Sequence, residues 1–374
     1  MTSAKGLVLQ APRTFKEQSF PLPTIGDDDG LLRLEACGLC GTDHEQYTGM
    51  LSPGYAFIPG HEIVGTIEEI GSKATQRWGV AKGDRVAVEV FQSCRHCPAC
   101  ENGTYRRCEK HGIMDMYGFS PADKPPGLWG GYAEYVYLSS DALVLKMPQD
   151  MDPVIATLFN PIGAGVRWGV DLPELKKGDV VAVLGPGIRG IAASAAAKAA
   201  GASFVLMTGL GPHDTPRLEL ARRFGVDRIV DVAKEDPGIA LNQELGRQAD
   251  IVVDVTAKAP AAFGQAVDLA RPGGTIVMAG VRGSTETPGL MPDMIVYKEL
   301  RILGALGVDV GAYKKAIDLI ASNRYPFAEL PRRTAGFKSV ARLLEAMAGE
   351  HGADRPVSVQ TLFATSAVIR CDVP

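Results

Sequence analysis

The stretch VVAVLGPGIRGIAASAAAKAA, residues 180–200, decides the fold of this chain. Its first five residues are apolar and indicate a buried strand, and residues 188–200 are rich in alanine and indicate a helix. Similar pairs of apolar runs and helical stretches continue as far as residue 307. This alternation predicts an α/β domain with a parallel, doubly wound sheet.

Three glycines, Gly185, Gly187 and Gly190, lie between this strand and helix with the spacing of a dinucleotide-binding turn. The first permits the tight turn, the second lets the backbone approach a pyrophosphate, and the third lets helix and strand pack closely. The phosphates then face the start of the helix at Ile188, and Arg189 can add a contact. We therefore predict a nicotinamide dinucleotide site. A glycine turn in a fold that binds nothing is the alternative.

The chain outside this region has a different pattern. Residues 6–145 contain short apolar runs cut by Gly, Pro and Asp, which predicts a β-rich domain. After residue 307 two amphipathic stretches and a final apolar run are expected to fold back onto that domain. We assign 1–160 and 308–374 to the first domain and 161–307 to the dinucleotide-binding domain, since 374 residues suit two cores.

The composition excludes several classes of partner. A net charge of -4, with basic residues spread among acidic ones, gives none of the field that a nucleic-acid or acidic-membrane binder needs. The sequence has no apolar stretch of bilayer-spanning length and no apolar N-terminal core. We expect a cytoplasmic protein with a small-molecule partner, and neither nucleic acid nor membrane.

Four of the seven cysteines crowd into Cys94-x2-Cys97-x2-Cys100-x7-Cys108. Four thiolates at this spacing suit tetrahedral Zn²⁺. A closed shell of four sulfurs leaves no open position for substrate, so we predict a structural zinc. Free or disulfide-linked cysteines are the alternative, which the tight spacing and a reducing compartment disfavour.

A second candidate metal site combines a thiolate, an imidazole and a carboxylate, from Cys40, His61 and Glu62. Ligands of these kinds hold a catalytic zinc and leave one position for water or substrate. The alternative is that Cys40 is a small core residue and His61 a hydrogen-bonded core histidine.

The order of these motifs resembles that of the medium-chain zinc alcohol and polyol dehydrogenases, the group of the threonine and sorbitol dehydrogenases. The motifs are Cys40-Gly-Thr-Asp, Gly60-His61-Glu62-x2-Gly65, the four-cysteine segment and the glycine turn. The resemblance implies a GroES-like β-barrel domain built from both chain ends, a Rossmann domain between them, and NAD(P)-linked interconversion of alcohols or polyols with carbonyl compounds. It also implies a homodimer or homotetramer, with 301–306 as the candidate edge.

The resemblance also implies roles for single residues. Cys40 and His61 would bind the catalytic zinc, Glu62 would ligate it or stand behind it, and Thr42 would pass on the substrate proton. Asn160 departs from the family, which usually has Glu, Cys or Asp at that position. Because an amide oxygen is a weaker zinc ligand, we expect Glu62 to ligate and Asn160 to bind weakly or through water.

The route of the proton to solvent is less well defined. Many relatives have a histidine five residues after the zinc cysteine, where this chain has Glu45 preceded by His44. His44 has the better unperturbed pKa for a proton relay, and an ordinary surface histidine is the alternative. Asp43 could equally orient His61.

The end of the second strand of the dinucleotide domain bears on cofactor choice. NAD-specific sites carry an acid there for the ribose 2′-hydroxyl, whereas this strand ends at Thr208-Gly209. Arg217 could pair with a 2′-phosphate, which favours NADP. Asp214 in the same loop could reach the ribose instead, so NAD stays open.

Two other functions remain possible on the sequence. A zinc-independent reductase of quinones or enones shares the architecture but has no need of Cys40, His61 and Glu62 together. A catalytically silent dinucleotide-binding protein would keep the fold, and Asn160 is the feature in its favour.

Overall fold

The computed structural model describes residues 2–257, 259–283, 286–288, 290–334 and 336–350, and the backbone of 358–362. Contacts divide the chain into two compact units. Unit 1 is Met1–Phe159 with Phe327–Pro374, and unit 2 is Asn160–Pro326.

The N-terminal part of unit 1 is mostly strand. Its elements are β1 (Ser3–Ala11), β2 (Thr14–Pro21), β3 (Gly30–Leu39), α1 (Gly41–Thr48), β4 (Glu62–Ile70), α2 (Ser72–Trp78), β5 (Arg85–Val88), α3 (Pro98–Glu101), a 3-10 turn at Tyr105–Arg107, β6 (Tyr135–Leu138), β7 (Val144–Lys146) and α4 (Pro153–Ala156).

Unit 2 alternates strands with helices. Its elements are α5 (Phe159–Val166), which starts at the boundary, a π-helical turn at Arg167–Asp171, β8 (Val180–Leu184), α6 (Ile188–Ala200), β9 (Phe204–Gly209), α7 (Gly211–Ala221), a 3-10 turn at Arg222–Phe224, β10 (Arg228–Asp231), α8 (Pro237–Leu245), β11 (Ala249–Asp254), α9 (Ala262–Leu269), β12 (Ala270–Met278), α10 (Asp293–Tyr297), β13 (Arg301–Gly304) and α11 (Val310–Ala321).

The chain then returns to unit 1. The returning elements are 3-10 turns at Phe327–Glu329 and Phe337–Ser339, β14 (Arg332–Arg333), α12 (Val340–Ala348) and β15 (Ser358–Leu362). Among the described residues β14, β15, β3, β4, β5 and β7 lie side by side in one sheet, and β6 also pairs with β3. Strand β15 runs antiparallel to β3, so the C-terminal segment completes the sheet begun near the N-terminus, as the sequence predicts.

Within the described part of unit 2, the strand order is β10-β9-β8-β11-β12-β13 and every neighbouring pair is parallel. The predicted doubly wound sheet is therefore present. All five residues of β8 are buried, because helices cover both faces of such a sheet. The chain reverses direction across the sheet between β8 and β11, which is where ligands bind in this architecture.

The second domain boundary lies later than the sequence suggested. We placed residues from 308 onward in the first domain, but α11 groups with unit 2. The reason is its buried face. Tyr313 is 1% exposed and packs so closely on α5 that a Cβ at Gly163 would lie 2.4 Å from its ring. In the part of the chain that is described, no helix combines the length and apolar character needed to cross a bilayer.

Candidate active site

Four thiols converge in the loop between β5 and β6. The sulfur atoms of Cys94, Cys97, Cys100 and Cys108 all lie within 4.8 Å of one another. The backbone N–H groups of Cys100 and Glu101 donate to the carbonyl of Cys97 at 2.9 and 3.0 Å, and so fold the turn that gathers the thiols. The four donors fit a tetrahedral thiolate site for zinc.

The surroundings of Cys108 favour its thiolate. Burial raises the pKa of this thiol, but backbone hydrogen bonds from Cys94, His111 and Lys110 outweigh that effect and bring the pKa to about 6. The thiolate is the form that binds metal. Near neutral pH, Cys108 is therefore mostly in the ionised form that binds metal.

The second predicted group also comes together. Ligand atoms of Cys40, His61 and Glu62 lie within 4.8 Å of one another, and Cys40 Sγ is 3.2 Å from His61 Nε2. All three side chains are buried. Cys40 stands between β3 and α1, His61 immediately precedes β4, and Glu62 is its first residue. Two neighbouring strands thus bring the thiol of Cys40 to the imidazole of His61, 21 residues away, and to the carboxylate of Glu62 beside it in the sequence.

A glycine makes room for the carboxylate. Gly38 on β3 is paired with Glu62 on β4, and a Cβ at Gly38 would lie only 2.0 Å from Glu62 Oε2. Any side chain at this position would therefore displace the carboxylate from the group. No pattern in the sequence indicates this requirement, because it depends on the register of two strands.

Asp43 lies beside two members of the candidate metal group, Cys40 and His61. Its Oδ2 accepts a hydrogen bond from the backbone N–H of Cys40 at 2.8 Å, and its Oδ1 lies 3.7 Å from His61 Nδ1. At this distance the carboxylate lies beside the imidazole without a hydrogen bond to it. Thiolate, imidazole and carboxylate are a donor set that fits zinc.

The two residues predicted to carry the proton have different surroundings. Thr42 is half-buried in the first turn of α1. His44 is buried, and its Nε2 lies 2.7 Å from Glu350 Oε1, just after α12. Arg13 donates two hydrogen bonds of 3.0 Å to the same carboxylate, and Arg13 and then His44 lower the pKa of Glu350 to about 2. One ring nitrogen of His44 is thus engaged by an ionised carboxylate.

Asn160 belongs to unit 2 and lies in α5. It is 4% exposed, and its Nδ2 donates a hydrogen bond to the hydroxyl of Tyr313 at 3.1 Å. The amide is therefore oriented by α11, and its oxygen is the atom left for another partner. Tyr313 had no signal in the sequence, because it is 153 residues away.

The glycine turn after β8 has the predicted form. Gly185 has a φ of +106°, which favours glycine, and a Cβ at Gly190 would lie 2.0 Å from the carbonyl oxygen of Gly185. A Cβ at Gly187 would meet nothing within 4 Å. This open space at the start of α6 is where a pyrophosphate is expected. Arg189 lies in the first turn with its guanidinium 5.5 Å from the centre of the Trp168 ring.

At the end of β9, Thr208 is buried and Gly209 closes the strand. Asp214 accepts a hydrogen bond from the N–H of Leu210 at 3.0 Å and lies 3.8 Å from Arg217 Nη1. Asp214 and Arg217, the two candidate partners of the cofactor's adenosine ribose, thus lie beside each other in the first turns of α7.

Family models match both parts of the chain. Residues 26–149 match the alcohol dehydrogenase GroES-like domain, and residues 190–322 match the family described as zinc-binding dehydrogenase. The chain belongs to the medium-chain zinc alcohol and polyol dehydrogenase family, which confirms the resemblance drawn from the motifs. Its units are a GroES-like domain and a Rossmann domain.

Among individual relatives, the chain is 63% identical over 354 residues to a probable alcohol dehydrogenase of Mycobacterium tuberculosis, covering 94% of this chain and 96% of that one. It is 32% identical to the sorbitol dehydrogenase of Bacillus subtilis, covering 85% and 86%. Its fold matches that of a Sinorhizobium meliloti protein bound to NADP, with a TM-score of 0.81, 27% identity and coverage of 97% and 100%.

Proposed function

We propose that this chain interconverts a primary or secondary alcohol, or a polyol, with its carbonyl product by hydride transfer to NAD or NADP. The observation that carries the proposal is the buried group of Cys40, His61 and Glu62, with ligand atoms within 4.8 Å of one another. A zinc-independent reductase has no use for such a group. Zinc, when bound, supplies a Lewis acid that lowers the pKa of the substrate hydroxyl, and the nicotinamide ring supplies the hydride acceptor.

The chain's own residues then have separate tasks. Asp43 accepts the N–H of Cys40 and places its other carboxylate oxygen 3.7 Å from His61 Nδ1, so a small movement on metal binding would bring the carboxylate within hydrogen-bond distance of the ring and orient it. Thr42 passes the proton from the substrate hydroxyl. His44 takes the proton onward, and the Glu350 carboxylate at 2.7 Å steadies the charge that the imidazole acquires.

Asn160 is part of the same proposal. Its Nδ2 is engaged by Tyr313, so its oxygen is the donor atom available to a metal. An amide oxygen carries no charge, and we therefore assign ligation primarily to Glu62 and a weaker or water-mediated contact to Asn160.

We assign a second, structural zinc to Cys94, Cys97, Cys100 and Cys108. Four thiolates complete a tetrahedral shell, so this ion has no position for substrate. We also propose a reducing, cytoplasmic location, because cysteines there remain available as thiolate ligands of a metal.

For the cofactor we favour NADP over NAD. The strand that would carry the NAD-specific acid ends at Thr208 and Gly209. Asp214 is held by the N–H of Leu210, which keeps it in the first turn of α7, and Arg217 beside it offers a cation to a 2′-phosphate. Initial rates with NAD and NADP at equal concentration test this assignment, and a preference for NAD would reverse it.

Metal analysis combined with turnover tests the function. We expect about two zinc ions per chain and alcohol-dependent reduction of NAD(P) over a panel of alcohols and polyols. The Cys40→Ala variant should retain one zinc and lose turnover, whereas Cys37→Ala, which alters a buried thiol outside both groups, should retain both zincs. If the wild type contains one zinc per chain and turns over no alcohol, the protein is instead a catalytically silent dinucleotide-binding protein.

A further inference from the structure

Two buried aspartates mark opposite ends of β11. Asp250, near the start of the strand, pairs with Arg247 and Arg271. Asp254, its last residue, is 0% exposed and pairs with Arg282. Ligands of a doubly wound sheet bind beyond the carboxyl ends of its strands. Both aspartates therefore pair with arginine, but only the pair of Asp254 and Arg282 lies at the ligand-binding edge, and only there are both side chains largely buried.

The pair of Asp254 and Arg282 joins two loops. Asp254 Oδ1 accepts hydrogen bonds from the N–H and the hydroxyl of Thr256, at 3.0 and 2.7 Å. Arg282 Nη2 donates to Asp254 Oδ2 and to Thr256 Oγ1, and its Nε donates to the carbonyl of Ala259 at 2.9 Å. Thr256 and Ala259 follow β11, whereas Arg282 follows β12. The guanidinium thus ties the second loop to the first.

The backbones of the same loops are also in close contact. The N–H groups of Ala279 and Gly280 donate to the carbonyl of Asp254 at 2.9 and 3.1 Å. A Cβ at Gly280 would lie 1.8 Å from the carbonyl oxygen of Thr256. A shift of one loop must therefore move the other.

These loops lie on one side of the crevice. The glycine turn follows β8, which has β9 and β10 on one side and β11, β12 and β13 on the other. A pyrophosphate at this turn places one half of a dinucleotide over each side. The ribose site proposed at Thr208 and Arg217 puts the adenosine half beyond β9. The nicotinamide half is left to the loops that follow β11 and β12.

We propose that Arg282 is a positioning residue for the nicotinamide half of the cofactor, acting through these two loops. The inference rests on the proposed dinucleotide function. A buried ion pair is no more stabilising than apolar side chains of similar volume, because both charges lose their hydration. A planar guanidinium can, however, fix three oxygen atoms at once, here those of Asp254, Thr256 and Ala259.

The test compares ligands that differ only in the nicotinamide. Dissociation constants of NADPH and NADH, and of ADP-ribose with and without a 2′-phosphate, are measured by calorimetry. The variant Asp254→Asn/Arg282→Gln removes both charges and leaves no buried charge unpaired. It should weaken binding of the reduced dinucleotide about tenfold or more, and change binding of the matching ADP-ribose by less than about twofold. Arg282→Lys keeps the charge but not the planar guanidinium, so it should weaken binding of the reduced dinucleotide by a smaller factor.

The matched control lies at the other end of the same strand. Asp250→Asn/Arg271→Gln removes an ion pair whose arginine is 44% exposed, so it should lower the thermal midpoint less than the Asp254 and Arg282 variant does, and it should leave the ratio of the two dissociation constants at the wild-type value. Equal weakening of both ligands by the Asp254 and Arg282 variant, or no weakening of either, would overturn the inference. A wild-type protein that binds neither ligand would instead overturn the dinucleotide function itself.

Discussion

At the scale of single residues, the position of the Glu62 carboxylate depends on the missing side chain of Gly38. In Gly38→Ala the new Cβ would come within 2.0 Å of Glu62 Oε2, so the carboxylate must leave the group. We expect loss of one zinc per chain and a fall in turnover of about 10- to 100-fold. Gly41→Ala is the control, because a Cβ there meets nothing within 4 Å. Metal analysis showing full zinc occupancy in Gly38→Ala would contradict the assignment of Glu62 as a ligand.

His111 gives the four-cysteine loop a dependence on pH. Its two ring nitrogens lie 2.8 Å from Asp115 and 2.9 Å from Asp141, and the hydrogen bond to Asp115 contributes most to raising its pKa. A raised folded-state pKa means that the protonated ring adds stability below a pH of about 6.5, and that this stability is lost as pH rises through the raised value. In His111→Gln the unfolding midpoint should fall less between pH 6 and pH 9 than in the wild type, as denaturant titrations would show. Parallel pH profiles would contradict this account.

The sequence singled out the side chains that come together in the two candidate metal groups, but not the residues that contact them. Cys40, His61 and Glu62 can be recognised in the sequence because thiolate, imidazole and carboxylate are the side-chain groups that bind zinc. The carboxylate of Glu350 beside His44 lies 306 residues away, and nothing in a linear pattern specifies which of many acids will reach a given imidazole. Such pairs follow from the register of strands and the rotamers of side chains, which are set by the folded chain as a whole.

At the scale of elements, Lys298 caps the C-terminal end of α9. Lys298 is 9% exposed, and its Nζ donates to the carbonyls of Val267, Asp268 and Ala270 at 2.8 to 3.0 Å, where α9 meets β12. Lys298→Met would remove all three donors and should lower the free energy of unfolding by about 2–4 kcal/mol. Lys234→Met, on a side chain that is 78% exposed, should change it by less than about 0.5 kcal/mol. Equal midpoints in urea for both variants would refute this capping role.

Two glycines of the turn before α6 should respond differently to the same substitution. Gly190→Ala places a Cβ 2.0 Å from the carbonyl of Gly185, so it should lower the thermal midpoint as well as cofactor affinity. Gly187→Ala meets nothing in the protein itself and should leave the midpoint nearly unchanged while obstructing the pyrophosphate. Calorimetry and thermal melts separate the two effects. Loss of stability in Gly187→Ala without loss of affinity would show that the phosphates bind elsewhere.

The elements themselves were predicted unevenly. The apolar run of β8 and the alanine-rich α6 are strong local patterns, and both appear where the sequence placed them. The amphipathic pattern of α11 correctly indicates one buried face, yet a pattern of this kind does not reveal what that face packs against. Tyr313 packs on α5, and the helix therefore belongs to unit 2.

At the scale of the whole molecule, β13 offers an edge for assembly. Within the described residues it pairs only with β12, and Val296 and Tyr297 just before it are 72% and 75% exposed. An open edge with exposed apolar neighbours favours pairing with a second copy. We expect a homodimer or homotetramer, and Val296→Glu/Tyr297→Glu should shift it toward the monomer. Light scattering after gel filtration would measure this, with the exposed Ile239→Glu as control, and an unchanged mass would direct attention to another surface.

The pairing of β3 with β15 also has a consequence for how the protein is made. Val359 and Gln360 pair with Leu39 and Gly38, so about 320 residues are translated between the two partner strands. At about 5–20 residues per second, β3 waits some tens of seconds for its partner, while the continuous unit 2 can fold behind it. We expect nascent chains to need chaperone cover during this interval, and the group of Cys40, His61 and Glu62 to reach its final arrangement only after β15 has paired with β3. The unit that contains Cys40 is thus begun before unit 2 and completed after it.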